Sequence, residues 1–250
     1  MLLALLGALA VGLCLGLLGS GGSILTLPVL LYLVQRPDKL AIAESLAIVG
    51  SIALFGAASY AVKRQVDWKS VTFFGLTGMV GANCGAFCAC YVSGTTQITL
   101  FACVMIVAGY MMLSDKTPTF NREMPPRSTK LLMVNGFLVG TLTGLVGVGG
   151  GFLIVPALVL VSALPMHIAV GTSLVIIAMN ALSGFFAHLP DLSTRQMEID
   201  WQIIALFASI GIVGTLIGSA MSGKIPQQRL KQGFALFIIP VALYTLIRGV

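Results

Sequence analysis

Gly16-Leu-Leu-Gly19-Ser20-Gly21-Gly22-Ser23-Ile-Leu-Thr-Leu-Pro28 and Gly144-Leu-Val-Gly147-Val148-Gly149-Gly150-Gly151-Phe-Leu-Ile-Val-Pro156 are two copies of one stretch, 128 residues apart. Gly16, Leu17, Gly19, Gly21, Gly22, Leu25 and Pro28 recur as Gly144, Leu145, Gly147, Gly149, Gly150, Leu153 and Pro156. Apolar sequence flanks both copies. A glycine run in that setting is read as a break inside a membrane helix: one helix stops, the backbone opens, and a second helix starts.

Working outward, composition sets the class. Only 9% of the 250 residues are charged and the mean hydropathy is +1.03. A soluble domain carries about a quarter charged residues. The apolar runs are mostly longer than about 18 residues, which predicts an all-α polytopic membrane protein embedded in a lipid bilayer. Continuous rather than alternating runs exclude a transmembrane barrel. The net charge of +6 lies in loop Lys and Arg, a positive-inside bias rather than a nucleic-acid surface. The first helix has no Lys or Arg before Arg36; with its internal copy, it is expected to be part of the mature fold rather than a cleaved leader. Cys14, Cys84, Cys88, Cys90 and Cys103 all fall in apolar segments. They are read as packed thiols, although Cys84 and Cys88 share a helix face.

The expected elements are a helix over 2–18, a break at Gly19–Gly22 and a short helix over 23–34, then long helices at 40–63, 69–92 and 96–113. Residues 114–130 form a polar, cytoplasmic linker. The second half repeats the plan with 131–147, a break at Gly147–Gly151, a short helix over 152–163, and long helices at 166–189, 201–223 and 229–247. The predicted domains are thus a first repeat, 1–113, and a second, 131–250. The match runs on from Ala41, Ser45, Leu46 and Ile48 to Ala169, Ser173, Leu174 and Ile176. After a five-residue insertion the offset is 133, with Asp67-Trp68 on Asp200-Trp201 and Phe101-Ala102 on Phe234-Ala235. Lys and Arg counts place loops 63–69, 114–130 and 223–231 inside, and loops 93–96 and 189–200 outside. The Arg36–Lys39 turn then lies outside and is discordant. Three crossings and one returning hairpin per half make the repeats inverted, an architecture of secondary transporters.

A helix break in lipid frees backbone groups that lipid cannot satisfy. Two readings of the glycine clusters are open. In one, they only let helices approach, as Gly12/Gly16, Gly81/Gly85, Gly136/Gly140/Gly144 and Gly214/Gly218 do. In the other, the half-helix starts at Ser23 and Phe152 present free N–H groups and a positive dipole end to an anion. Candidate contacts are then Gly19, Ser20, Gly21, Gly22 and Ser23 in the first half, and Gly147, Gly149, Gly150 and Gly151 in the second. Ser45, Thr172 and Ser173, near the start of the following helices, are candidate hydroxyl donors or back-bonds to their own helices. Asn83 and Asn180 are read as cross-helix bonds or substrate contacts. Glu44 is a coupling candidate or a capping group, and His188, placed at a helix end, a second coupling candidate or an interface residue. His167 begins that helix and is read as an interface residue. No Lys follows the glycines and no strand precedes them, so a nucleotide loop is excluded. No nucleophile–base set and no metal-ligand spacing is visible, so an enzyme, a cofactor and a metal are not expected. A channel, an importer of another anion, and a non-transporting scaffold subunit are the alternatives.

The duplicated Gly-Leu-x-Gly-x-Gly-Gly…Pro stretches at 16–28 and 144–156, with the segments at 41–46 and 169–174 and the Asp-Trp pairs, resemble the TauE/SafE family of membrane permeases along essentially the whole chain. The second copy holds the full Gly147-Val-Gly149-Gly150-Gly151 core. The first has Ser20 at the variable position and Ser23 for the third adjacent glycine, and Ala41-Ile-Ala43-Glu44-Ser45 stands where the second half has Ala169-Val-Gly171-Thr172-Ser173. The resemblance implies a bacterial inner-membrane exporter of sulfur-containing anions such as sulfite, sulfoacetate or sulfolactate. Coupling to H+ or Na+ is open, as is a homodimer through small-residue faces.

Overall fold

The structure is a computed structural model that describes residues 2–19, 22–113, 129–146, 153–155, 157–158, 164–221, 239–240, 242–244 and 246. Its described residues form helices and no strand. Helix α1 is Leu2–Leu18 and α2 is Gly22–Pro28, which runs on as a π-helical turn, Val29–Leu33. Then come α3, Asp38–Val62, and α4, Trp68–Cys90, with π-helical geometry over Val71–Gly75. Helix α5 is Gly94–Leu113, α6 is Thr129–Val146, α7 is Met166–Thr194 and α8 is Trp201–Met221. Residues 153–155 and 157–158, within the second expected short helix, are helical. The linker at 114–128 and most of the last expected helix lie outside the described residues.

Helices α3, α4, α6, α7 and α8 are each long and apolar enough to cross a membrane. The 25 residues of α3 rise by about 37 Å, more than a ~30 Å hydrocarbon core requires. The molecule is inside-out in its polarity. Leu54, Phe55, Phe87, Leu138, Phe186, Val213 and Leu216 are exposed, while Glu44, Ser45, Gln97, Thr172, Ser173 and Asn180 are buried. Lipid accepts the first group and has nothing to offer the second. Trp68 and Trp201 open α4 and α8 as exposed aromatics, as befits a membrane–water interface. The aspartate before each tryptophan is an N-cap: Asp67 Oδ2 accepts from Ser70 N at 3.1 Å, and Asp200 Oδ1 from Gln202 N and Ile203 N at 3.0 and 3.1 Å.

Helices α3 and α7 form the centre, with 83% and 72% of their spans buried against 33% for α6. They run antiparallel. Leu46 lies beside Gly184, Gly50 beside Leu182, Gly56 beside Leu174, and Tyr60 beside Gly171. Two seams flank this pair. In one, α1 runs parallel to α8, with Gly12 against Gly211 and Gly16 against Thr215. In the other, α6 runs parallel to α4, with Gly140 against Gly78 and Gly144 against Ala82. These are the same contacts at the two sequence offsets. Gly12 and Gly16 correspond to Gly140 and Gly144, and Gly78 and Ala82 to Gly211 and Thr215. A Cβ on Gly12, Gly16, Gly140 or Gly144 would fall on a carbonyl oxygen of the facing helix, so glycine sets the backbone approach at both seams.

Two helix ends differ from expectation. The second helix opens into a π turn after Pro28, where the ladder loses a donor. It closes with Val34 N donating to Val29 O, Arg36 N donating to Leu30 O, and Gln35 at φ 59°. Helix α7 does not stop at 189; it continues through Pro190 to Thr194. His188 is therefore inside a helix and 3% exposed, not at its end.

Candidate functional site

The first glycine break is built from both halves. Gly19 has φ +69°, and a Cβ there would lie 2.8 Å from the Val170 Cα. Only glycine combines that conformation with so close a neighbour. Ser173 Oγ, from α7, donates to Gly19 O at 2.9 Å and is also 2.7 Å from Val170 O. Its hydroxyl thus braces the opened backbone. Gly22 starts α2, and Ser23 beside it is fully buried. Ser20 and Gly21 lie outside the described residues, as do Gly147, Gly149, Gly150 and Gly151 of the second break.

Buried side chains from the centre reach carbonyls in the last described turns of α1 and α6. Tyr60 Oη donates to Gly16 O at 2.9 Å, and His188 Nε2 lies 3.0 Å from Gly144 O. Tyr60 and His188 are equivalent at the offset of 128, as are the two glycines. On the second side Gln97 Nε2, from α5, adds a bond to Leu145 O at 2.6 Å. Gln97 Oε1 is buried without a partner among the described residues.

Away from the breaks, a second pair of equivalent bonds ties each half to the other. Thr172 Oγ1 accepts from Asp67 N at 2.9 Å, and Glu44 Oε1 accepts from Asp200 N at 3.1 Å. Glu44 and Thr172 occupy the same place in their repeats, and so do Asp200 and Asp67. Among the described residues only the first half adds charge: Arg36 Nε and Nη2 donate to Glu44 at 3.0 and 2.5 Å. That hydrogen bond to Glu44 raises Arg36 further above the usual guanidinium range. Lys39 Nζ donates to Ala89 O and Val92 O at 2.6 and 2.7 Å, at the C-terminal end of α4. The discordant turn is thereby explained. Both of its basic residues are committed to partners within the protein, whereas the positive-inside count assumes free loop charges.

The remaining candidates separate. Ser45 Oγ donates to Ile42 O in its own helix. Asn83 is exposed, and its Nδ2 donates to Ser183 Oγ at 2.6 Å and to Met79 O at 2.8 Å, a bond across α4 and α7. Asn180, 1% exposed, has no hydrogen-bond partner for either amide atom among the described residues. Leaving such a group unsatisfied costs about 1–3 kcal/mol. Cys84, Cys88 and Cys103 are exposed rather than packed, Cys14 and Cys90 are partly buried, and all five cysteines are free thiols. No group of three His, Cys, Asp or Glu suited to a metal occurs among the described residues.

The sequence reading passed over Arg36, Tyr60 and Gln97. Tyr60 could have been found as the residue at His188's place in the first repeat. Arg36 and Gln97 have no such signal, because Leu164 and Leu230 stand at their places in the second.

The family described as sulfite exporter TauE/SafE matches residues 3–245. A probable membrane transporter protein of Xylella fastidiosa (strain 9a5c) is 33% identical over 246 residues, covering 96% of this chain and 92% of the relative. One from Haemophilus influenzae is 29% identical over 97% of this chain and 96% of its own. The probable membrane transporter protein YunE of Bacillus subtilis is 24% identical over 100% and 98%. No solved structure matches. The chain belongs to the TauE/SafE sulfite exporter family, and it is a multi-pass membrane transporter protein.

Proposed function

We propose that this transporter moves a sulfur-containing oxyanion, such as sulfite or an organosulfonate, out across the bacterial inner membrane by alternating access of two inverted repeats. One observation carries the reading. A glycine break of the first repeat is held open by Ser173 of the second, so the broken helix lies at the interface between repeats, where such transporters bind their cargo. The inverted arrangement is supported by helix directions. Equivalent helices α3 and α7 run antiparallel, while the two equivalent seams are each parallel.

In this proposal the anion is held at the two breaks by Gly19, Ser20, Gly21, Gly22 and Ser23, and by Gly147, Gly149, Gly150 and Gly151. Ser45, Thr172, Ser173, Asn83 and Asn180 are the surrounding polar groups. Half-helix N–H groups suit an oxyanion without a buried Lys or Arg. Ser173 braces the first break and Thr172 the Asp67 loop away from it, which assigns direct anion contact to the N–H groups first. A coupling role for Glu44 requires that its pair with Arg36 open during the cycle, and one for His188 that it leave Gly144 O. H+ and Na+ are the candidate coupling ions.

The test is binding followed by transport. Sulfite, sulfoacetate, taurine and sulfate are offered to the purified protein in thermal-shift assays, then in counterflow from liposomes. A ligand at about 100 times its dissociation constant stabilises by about 2.7 kcal/mol. Stabilisation by a sulfonate or sulfite, lost in Ser23→Ala or Gly150→Ala with folding retained, supports the oxyanion site. A response to cations alone, or to no solute, contradicts it and favours a scaffold role.

A further inference from the structure

Among the described candidates, Asn180 is the one whose side chain the fold leaves unused. It lies seven residues after Ser173 and eight before His188 on α7, about two helical turns from each, so the three share a face. Ser173 touches the first break at Gly19, and His188 holds Gly144 O three residues before the second glycine run. The Asn180 amide sits between these two ends. It lies against the bare Cα of Gly78 on α4, where a Cβ would fall 2.7 Å from Nδ2 and 2.8 Å from Oδ1.

The other repeat provides a control. The residue equivalent to Asn180 is Ile52, fully buried and set against Gly211, the equivalent of Gly78. Packing at this place is therefore met by hydrocarbon. A carboxamide here adds nothing to packing and carries the cost of two unsatisfied polar atoms. A residue of that kind points to a ligand.

An amide asks for two things at once: Nδ2 needs an acceptor and Oδ1 needs a donor. The oxygens of a fully ionised oxyanion are acceptors only. They satisfy Nδ2 and oppose Oδ1. We infer that Asn180 is a specificity-determining contact for a substrate that bears a hydrogen-bond donor of its own beside the anionic group, of the hydroxysulfonate type. The inference rests on the sulfonate-transport reading above and narrows it.

The probes are a matched pair, 2-hydroxyethanesulfonate and ethanesulfonate, which differ by one hydroxyl. Counterflow of each is measured in liposomes containing the full chain. The wild type is expected to favour the hydroxylated probe by about tenfold or more, since a site built to bond a hydroxyl rejects its absence strongly. Asn180→Ile, which installs the residue of the other repeat, is expected to abolish the preference while the protein stays folded. Asn180→Ser, which keeps a donor and an acceptor, retains part of it. Equal counterflow of the two probes by the wild type, or a preference that survives in Asn180→Ile, overturns the inference but leaves sulfonate transport standing. Counterflow of neither probe overturns the inference, and refusal of sulfite and sulfoacetate as well overturns the transport reading too. If Asn180→Ile does not fold, Asn180→Ser and Gly78→Ala, whose new methyl displaces the amide, read the same preference.

Discussion

The two ends of the α3–α7 pair carry the same clasp made from different chemistry. At one end Thr172 takes the N–H of Asp67 with a neutral hydroxyl. At the other Glu44 takes the N–H of Asp200 and is itself gripped by Arg36. Both clasps hold the loop that precedes an Asp-Trp helix start. At these two places, related by the sequence offsets, the bond is kept while the residue that makes it differs. The ionic clasp also ties down the end of the first hairpin, because Arg36 follows directly on the π turn after α2. The neutral clasp has no such link among the described residues. In the proposed cycle the Glu44 end is therefore the costlier one to open.

Mutation distinguishes the two ends, and the variants rank by size. Glu44→Ala strands a partly buried guanidinium and the Asp200 N–H, and breaking such a pair costs about 3–5 kcal/mol, read as loss of stability to denaturant in detergent. Next are the seams. Gly12→Ala and Gly140→Ala each press a methyl on a facing carbonyl, with a cost of about 1–3 kcal/mol; the two values should agree, because the seams are copies. Tyr60→Phe and His188→Phe each remove one bond to a helix-end carbonyl, for about 0.5–1.5 kcal/mol. Of the same small size is the effect at the neutral clasp, where Thr172→Val costs about 1 kcal/mol. A loss in Thr172→Val as large as that in Glu44→Ala would erase the distinction between the ends.

Much of the helical plan was legible. The boundaries of α1, α3, α4 and α8 follow the apolar runs to within a few residues, because lipid forces each crossing to be continuous. The glycine seams were legible as small-residue spacing, but not which helices they join. That pairing crosses between halves, and no local pattern encodes it. The site was less legible for the same reason. Ser173 reads as a hydroxyl near a break, yet the break it serves is 154 residues away. Arg36 and Lys39 read as loop charges, and only their partners reveal them as structural. His188 was misplaced because the expected helix stopped at 189, whereas α7 runs on through Pro190 to Thr194.

Inverted repeats require that the two clasps face opposite sides of the membrane. Single cysteines at Lys63, beside the neutral clasp, and at Glu198, beside the ionic one, report this directly in a background whose five native cysteines are replaced. In intact cells a membrane-impermeant maleimide should label Glu198→Cys at once and reach Lys63→Cys only after the membrane is opened. Labelling of both positions from the same side would contradict the inverted arrangement and the alternating-access account built on it.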